Sequence, residues 1–338
     1  MGKTPNEWFV SGDEDFLRKL FELIKSLGYK VIAPTKREGR IILDYVDSFD
    51  EVEVRYIRTL NTPKHFLFPN GDCLFSWVKV NSDINLKTHV FKEKWAFFGL
   101  HPCDANSLVI LDKILLGDPK DDIYAQRRRN SLIIIYDCEE SDEYCFCESV
   151  NARIPIDGSG DLWIIPYKGK YYINPLSDKG KDIVKALDLT PSEPPKIPSQ
   201  TNKKFYNLSN IGALKYLYEH ESWLKHSNKC LLCGACTASC PTCTCFDVLD
   251  FVDPSLITGR RIRTWNSCTF RSFTIVAGGR VIRKERVDRF KHRYYHKFVF
   301  IPEKYGIFGC TGCGRCVSQC HNRIHPLEVI LDVITRGV

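Results

Sequence analysis

CLLCGACTASCP, residues 230–241, and CTGCGRCVSQCH, residues 310–321, decide how this chain is read. The first sets Cys230, Cys233, Cys236 and Cys240 at C-x2-C-x2-C-x3-C spacing ahead of Pro241, and the second repeats the spacing at Cys310, Cys313, Cys316 and Cys320. A loop with cysteines three residues apart wraps one corner of an iron–sulfur cube and places three thiolates on three irons. Small residues such as Gly234, Gly312 and Gly314 let backbone N–H groups approach the sulfurs. The fourth cysteine points away, and in two-cluster ferredoxins it ligates the other cluster. The spacing therefore predicts one 4Fe-4S cluster on Cys230, Cys233, Cys236 and Cys320 and a second on Cys310, Cys313, Cys316 and Cys240. Structural zinc takes paired C-x2-C units, which fits two identical four-cysteine runs poorly.

Two features depart from a minimal ferredoxin. Between Cys240 and Cys310 lie 69 residues, more than a compact hairpin needs, so a helical dicluster module is preferred over one with a large insertion. After Cys320 the usual proline is replaced by His321, read as an exposed histidine that costs no thiolate.

Working outward to the N-terminal side, DEDFLRKLFELIKSLGYKVIAP has apolar residues at helical spacing from Phe16 to Leu27, then Gly28 as a stop and a short strand. RIILDYV, KWAFFGL and SLIIIYD read as strands. DANSLVILDKILLGD lies between the last two as a helix, with Asp104 as its N-cap and Gly117 as its stop, so strand, helix and strand follow as in an α/β unit. Cys103 and Cys138 then sit at the carboxyl ends of neighbouring strands, where open α/β sheets bind ligands. The loop YDCEESDEYCFC returns Cys145 and Cys147 to the same place. A third 4Fe-4S cluster on Cys103, Cys138, Cys145 and Cys147 is the preferred reading, with structural zinc and unligated core thiols as alternatives. Downstream, NIGALKYLYEHESWLKH and PLEVILDVITRG read as helices, the second with Pro326 at its first position.

The stretch LDLTPSEPPKIPSQTNKK holds four prolines and no apolar periodicity. It divides the chain into an α/β or α+β domain at 1–187, a proline-rich linker at 188–204 and a mainly helical, ferredoxin-like two-cluster domain at 205–338. At 338 residues and 43% hydrophobic content the chain can bury two cores. Neither a signal peptide nor a run long enough to span a membrane is legible, which implies a cytoplasmic protein. Sixteen cysteines in that compartment argue for metal ligation over disulfides. The formal charge of +7 counts cysteines as neutral. Each oxidised cluster on four thiolates adds roughly two negative charges, so two or three of them bring the protein near neutrality without nucleic acid.

Cys73 reads as a packing residue, and Cys243, Cys245 and Cys268 as buried thiols or a redox-active group. From Arg260 to Lys297 twelve Lys or Arg face only Glu285 and Asp288, either as a solvated counter-charge or as a docking surface for an acidic redox partner. No G-x-G-x-x-G follows a strand and no P-loop occurs, so no flavin or nicotinamide fingerprint is present, and no catalytic constellation is evident.

GLHPCDANSLVILDK, YDCEESDEYCFC, CLLCGACTASCPTCTCFDV, WNSCTFRSFTIVAGG and GCTGCGRCVSQC, in this order, resemble the beta subunit of cytosolic nickel–iron hydrogenases of the sulfhydrogenase type. They are also similar to the A subunit of anaerobic sulfite reductases. The resemblance runs from about residue 95 to the C-terminus. It implies an iron–sulfur electron-transfer subunit beside a flavoprotein subunit that binds FAD and NAD(P)H and, in hydrogenases, small and large subunits. It also implies a cluster on Cys103, Cys138, Cys145 and Cys147. Rival readings are a self-contained polysulfide or thiol reductase using Cys243, Cys245 or Cys268, and an iron–sulfur nucleic-acid-binding protein. His321 and AGGRVIRK depart from the family pattern.

Overall fold

WAFFGL and SLIIIY lie side by side as parallel strands at the centre of an eight-stranded sheet in the computed structural model, which describes residues 7–88, 90–197 and 204–337. In chain order the strands are β1 (Trp8–Ser11), β2 (Lys30–Arg37), β3 (Arg40–Val46), β4 (Asp72–Val80), β5 (Asp83–Thr88) and β6 (Trp95–Leu100). There follow β7 (Ser131–Tyr136), β8 (Leu162–Tyr167), β9 (Lys170–Pro175), β10 (Thr190–Ser192), β11 (Phe246–Val252) and β12 (Thr258–Trp265). The large sheet runs β10-β1-β9-β8-β7-β6-β2-β3, with β2, β6, β7 and β8 parallel to their neighbours in that core and the outer pairs antiparallel.

The continuous apolar runs follow from burial on both faces. Successive residues point to opposite sides, so Ala96, Phe98, Leu132 and Ile134 meet the helix Phe16–Ser26. Phe97, Ile133 and Ile135 meet Leu108 and Leu111 of the helix Pro102–Leu115 on the other side. That second helix begins earlier than the sequence suggested. Its N-cap is His101, with Pro102 at the first position, and Asp104 is not the cap but a buried partner of Arg315. Pro102 fixes a helical φ and lacks the N–H that a cap would have to satisfy, which moves the start upstream.

The proline-rich stretch is not wholly a linker. Thr190–Ser192 forms the edge strand β10 against Trp8–Val10, and an edge accepts Pro191 because an outward-facing missing N–H breaks no ladder. Residues 198–203 of that stretch lie outside the described residues. The two sides of it are also joined more closely than two beads on a string. β4 and β5, from the N-terminal side, form one four-stranded sheet with β11 and β12, in the order β11-β12-β4-β5. Buried Arg263 of β12 binds Asp72 of β4 at 2.7 Å, and Arg127 holds the same carboxylate at 2.7 and 2.8 Å.

The C-terminal part is therefore sheet and helix together. Its core collects Trp223, Phe290, Tyr294, Phe298, Leu327 and Ile330, with Phe146, Cys147 and Val150 inserted from the N-terminal side. The segment 210–226, expected as one helix, is instead a 3-10 helix Ile211–Tyr216, a turn and a short helix Ser222–Ser227. The indole of Trp223 donates to Leu217 O at 2.9 Å, which satisfies the carbonyl where the first piece stops. Among the described residues no helix is long and apolar enough to cross a membrane.

Candidate iron-sulfur centres

Each four-cysteine run supplies the same local device. Gly234 and Gly314 take φ of +76°, and each caps a one-turn helix, Ala235–Ala238 or Arg315–Ser318, that carries the third cysteine. Each loop thus turns its first three thiols inward and sends the fourth across. One cavity is lined by Cys230, Cys233, Cys236 and Cys320. A second is lined by Cys310, Cys313, Cys316 and Cys240. Each cavity thus combines three thiols of one run with the last thiol of the other. His321 is exposed at the rim of the first.

The two environments differ. Cys233 is exposed, whereas Cys240 is 7% exposed and the second cavity is closed by Phe146, Phe298 and Tyr294. Without iron, burial pushes the Cys310 thiol up to about 11, so metal binding there must displace protons. Two cations sit in the wall and have no carboxylate partner among the described residues. Lys297 Nζ donates to Thr242 Oγ1 at 2.7 Å and Gly309 O at 2.8 Å. Arg293 donates to Cys236 O at 3.2 Å and reaches Cys243 Sγ at 3.8 Å. Burial opposes the charge on Lys297, but the Cys240 and Cys243 sulfurs beside it more than offset this and hold its pKa above the ordinary lysine value. Buried cations that face thiols in place of carboxylates fit a site made to hold anionic sulfur, and this matches an iron–sulfur cluster on four thiolates. Among the described residues no three His, Cys, Asp or Glu side chains gather closely enough for one metal ion.

The other cysteine set packs on the second cavity. Phe146 N donates to Gly312 O at 2.9 Å, and a Cβ on Gly312 would lie 2.5 Å from Cys147 N, so only glycine permits this approach. Cys103 lies in the first turn of its helix, Cys138 just beyond β7, and Cys147 opens a buried 3-10 turn. Burial raises the Cys103 thiol, with Asp104, Cys313 and Cys147 adding to it. Cys138 and Cys147 both act on the Arg153 guanidinium, which is paired with Asp137 at 2.6 and 2.7 Å. Cys145 Sγ accepts from Arg58 Nη2 at 3.2 Å, and the same guanidinium reaches Cys313 O at 3.3 Å and binds Asp142. Cys103, Cys145 and Cys147 thus lie close to the Cys313 loop, and Cys138 joins Cys147 at Arg153, while none of the four lines either cavity.

Reading the sequence missed the charged scaffold. Arg315, inside the second run, is 1% exposed and makes a bidentate pair with Asp104 at 2.6 and 2.7 Å, while its Nε donates to Thr59 O at 2.8 Å. This pair clamps the Cys103 helix to the Cys310 loop. The only available signal was that Asp104 directly follows Cys103 in HPCDA and Arg315 directly precedes Cys316 in CGRC. The basic run also divides. Arg263, Lys291, Arg293 and Lys297 are buried, leaving Arg260, Arg271, Arg280, Lys284 and Arg286 exposed, the last donating to the Cys230 carbonyl. Cys73 is half-buried in β4, as a packing residue would be.

Residues 229–324 match the 4Fe-4S dicluster domain family. The whole chain is similar to the sulfhydrogenase 2 subunit beta of Pyrococcus furiosus, at 33% identity over 98% of this chain and 99% of that protein. No solved structure matches significantly. An end-to-end likeness at this level, with the dicluster region falling on the crossed cysteine cavities, places the chain in the family of iron–sulfur beta subunits of sulfhydrogenases.

Proposed function

We propose that the chain relays single electrons between a flavoprotein subunit, which binds FAD and NAD(P)H, and the catalytic subunits of a cytoplasmic hydrogenase or sulfur reductase complex. The observation that carries this reading is the pair of adjoining four-thiol cavities, one deep and one with Cys233 exposed at the surface. A bound 4Fe-4S cluster accepts and gives up one electron at a time. The residues of this chain do the rest. Cys230, Cys233, Cys236 and Cys320 hold the cluster nearest solvent, and Cys310, Cys313, Cys316 and Cys240 hold the inner one. Cys103, Cys138, Cys145 and Cys147 hold a third beside Cys313. Lys297 and Arg293 offset negative charge, and Phe146, Phe298 and Tyr294 keep water from the inner site.

The partner's docking face is the rim of the first cavity. Leu231, 61% exposed, lines that rim, and Arg286 reaches the Cys230 carbonyl beside it, in a stretch whose Arg271, Arg280 and Lys284 are also exposed. Apolar contact with a basic border suits an acidic redox partner. A nicotinamide gives up a hydride, and no nucleotide fingerprint is legible in this chain, so a flavin elsewhere must split the electron pair. The chain reconstituted anaerobically with iron and sulfide should bind about twelve irons. It should be reduced by a viologen and stay oxidised with NADPH until the flavoprotein is added. Rapid reduction of the flavin-free chain by NADPH alone would overturn the relay.

A further inference from the structure

Besides Cys73 in β4, three cysteines are used by none of the cluster sites: Cys243, Cys245 and Cys268. They lie together. Cys245 is in hydrogen-bonding contact with Cys268, and Cys243 with the cluster ligand Cys240. Asn266 N donates to Cys245 O at 2.9 Å, which draws the WNSC segment carrying Cys268 onto the Cys245 strand. The two thiols differ in access. Cys268 is 3% exposed, whereas Cys245 is half-buried and lines a surface cavity together with Cys233, Cys243, Lys64, Trp265 and Phe270.

Lys64 is the second observation. Its side chain is 2% exposed and has no carboxylate partner among the described residues. Its Nζ sits 3.8 Å over the Trp265 ring and donates to Thr237 O and Ala238 O at 3.4 Å, in the wall of the same cavity. An outer thiol open to solvent, an inner thiol in contact with it and a buried cation in the wall of the outer thiol's cavity form the arrangement used for thiol–disulfide exchange. Here a ligand cysteine of the outer cluster, Cys233, lines the same cavity.

The geometry points to a redox-active dithiol, Cys245 with Cys268, that reduces small-molecule disulfides in the Lys64 cavity with electrons drawn from the relay. Cys245 sulfur attacks one sulfur of the disulfide R–S–S–R, forming an S–S bond to the protein and releasing one thiolate. Cys268 then attacks Cys245 sulfur, closing the Cys245–Cys268 disulfide and releasing the second thiolate. The protons of the two cysteines pass to the two products. Two electrons, supplied one at a time through the relay by a one-electron reductant such as a reduced viologen, and two protons from solvent restore the dithiol. Lys64 stabilises the thiolate at Cys245, and Cys243, held between Cys245 and Cys240, positions the pair beside the relay.

This inference rests on the cluster reading, and the test separates the two. The full chain is reconstituted anaerobically and its iron content is measured. It is then titrated with reductant from the oxidised state, and the untreated oxidised protein is alkylated and mapped by mass spectrometry. The wild type should accept about two electrons beyond one per four irons, and its peptides should show a Cys245–Cys268 link. It should also reduce hydroxyethyl disulfide with reduced viologen. Cys245→Ser, at the exposed end of the pair, and Cys268→Ser should each lose the extra two electrons, the link and the disulfide turnover while keeping their iron. If either variant loses about four irons, these cysteines are cluster ligands and the dithiol is overturned. Unchanged electron uptake or turnover in Cys245→Ser overturns it equally. Low iron in the wild type would instead count against the relay itself.

Discussion

Replacing Lys297 by methionine should lower the reduction potential of the inner cluster selectively. The ammonium lies 2.7 Å from Thr242 Oγ1, which is itself 3.2 Å from Cys240 Sγ, so the charge stands within about 6 Å of a ligand sulfur. At an effective dielectric constant near 20, one charge at that range is worth about 3 kcal/mol. For a one-electron couple this is about 120 mV, downward because reduction adds negative charge that the amine no longer offsets. Methionine keeps most of the volume, and the loss is confined to the charge and two hydrogen bonds. Lys297→Arg keeps the charge and should stay within about 30 mV of wild type. The assay is a redox titration of the reconstituted full chain followed by electron paramagnetic resonance, with iron content checked in parallel. An equal shift at both clusters, or no shift at full iron occupancy, would refute the argument that Lys297 is placed for the Cys240 site.

Cys240→Ser should damage the cluster of the Cys310 run more than that of its own run, as read by spectroscopy of the two reduced clusters; loss of the local cluster alone would sink the crossed assignment. Gly312→Ala should lower iron content and stability together, because φ is +65° and the added Cβ meets Cys147 backbone at 2.5 Å; iron analysis and thermal unfolding check it. Acidification should weaken the protein through His325, whose ring nitrogens have no hydrogen-bond partner and whose pKa burial lowers to about 4. The unfolded value is near 6.5, so the folded state binds fewer protons and stability falls as pH drops from about 6.5 to 4, by about 2 kcal/mol between pH 7 and pH 5. In His325→Phe, packed between Phe146 and Tyr206, that part of the pH dependence should vanish from denaturant unfolding curves.

How much of this was legible in the sequence depended on the range of the interaction. WAFFGL and SLIIIY announced buried parallel strands because local composition reports burial on both faces. The cysteine runs announced their loops because a one-turn helix after a glycine is a local device. Long-range pairings left no such trace. Nothing in the residues around Asp72 foretold that Arg263, far along the chain, would bind it and carry β11 and β12 onto β4. Nor could spacing show that the exposed basic run would split, because Lys291, Arg293 and Lys297 turn inward only once the helix Arg286–Tyr295 packs Phe290 and Tyr294 on Trp223. The segment 210–226 kept a helical pattern, yet it stops at Tyr216, where the indole of Trp223 binds Leu217 O, and restarts at Ser222.

The buried charges also explain why iron belongs to the fold. Lys64, Arg293 and Lys297 are 2%, 8% and 4% exposed, and no carboxylate faces them among the described residues. A buried cation without a counter-charge costs several kcal/mol, and it is tolerated where an anion arrives to meet it. In the iron-free chain burial holds the Cys310 and Cys316 thiols protonated while Cys240 is pulled the other way, so the cations meet less negative charge there than four thiolates would supply. Four thiolates round a cluster reverse this, since ligation removes the thiol protons and leaves net negative charge where Lys297 and Arg293 already point. The same cations that tune electron transfer therefore oppose folding until the cluster is in place. Stripping iron from the wild type should loosen the region 229–324 first, with hydrogen exchange rising there before the β6–β7 core. In Lys297→Met the difference between holo and iron-free stability should shrink by about 3 kcal/mol, the same charge interaction read through folding. A gap unchanged by the substitution would show that Lys297 is balanced by something other than the cluster sulfurs.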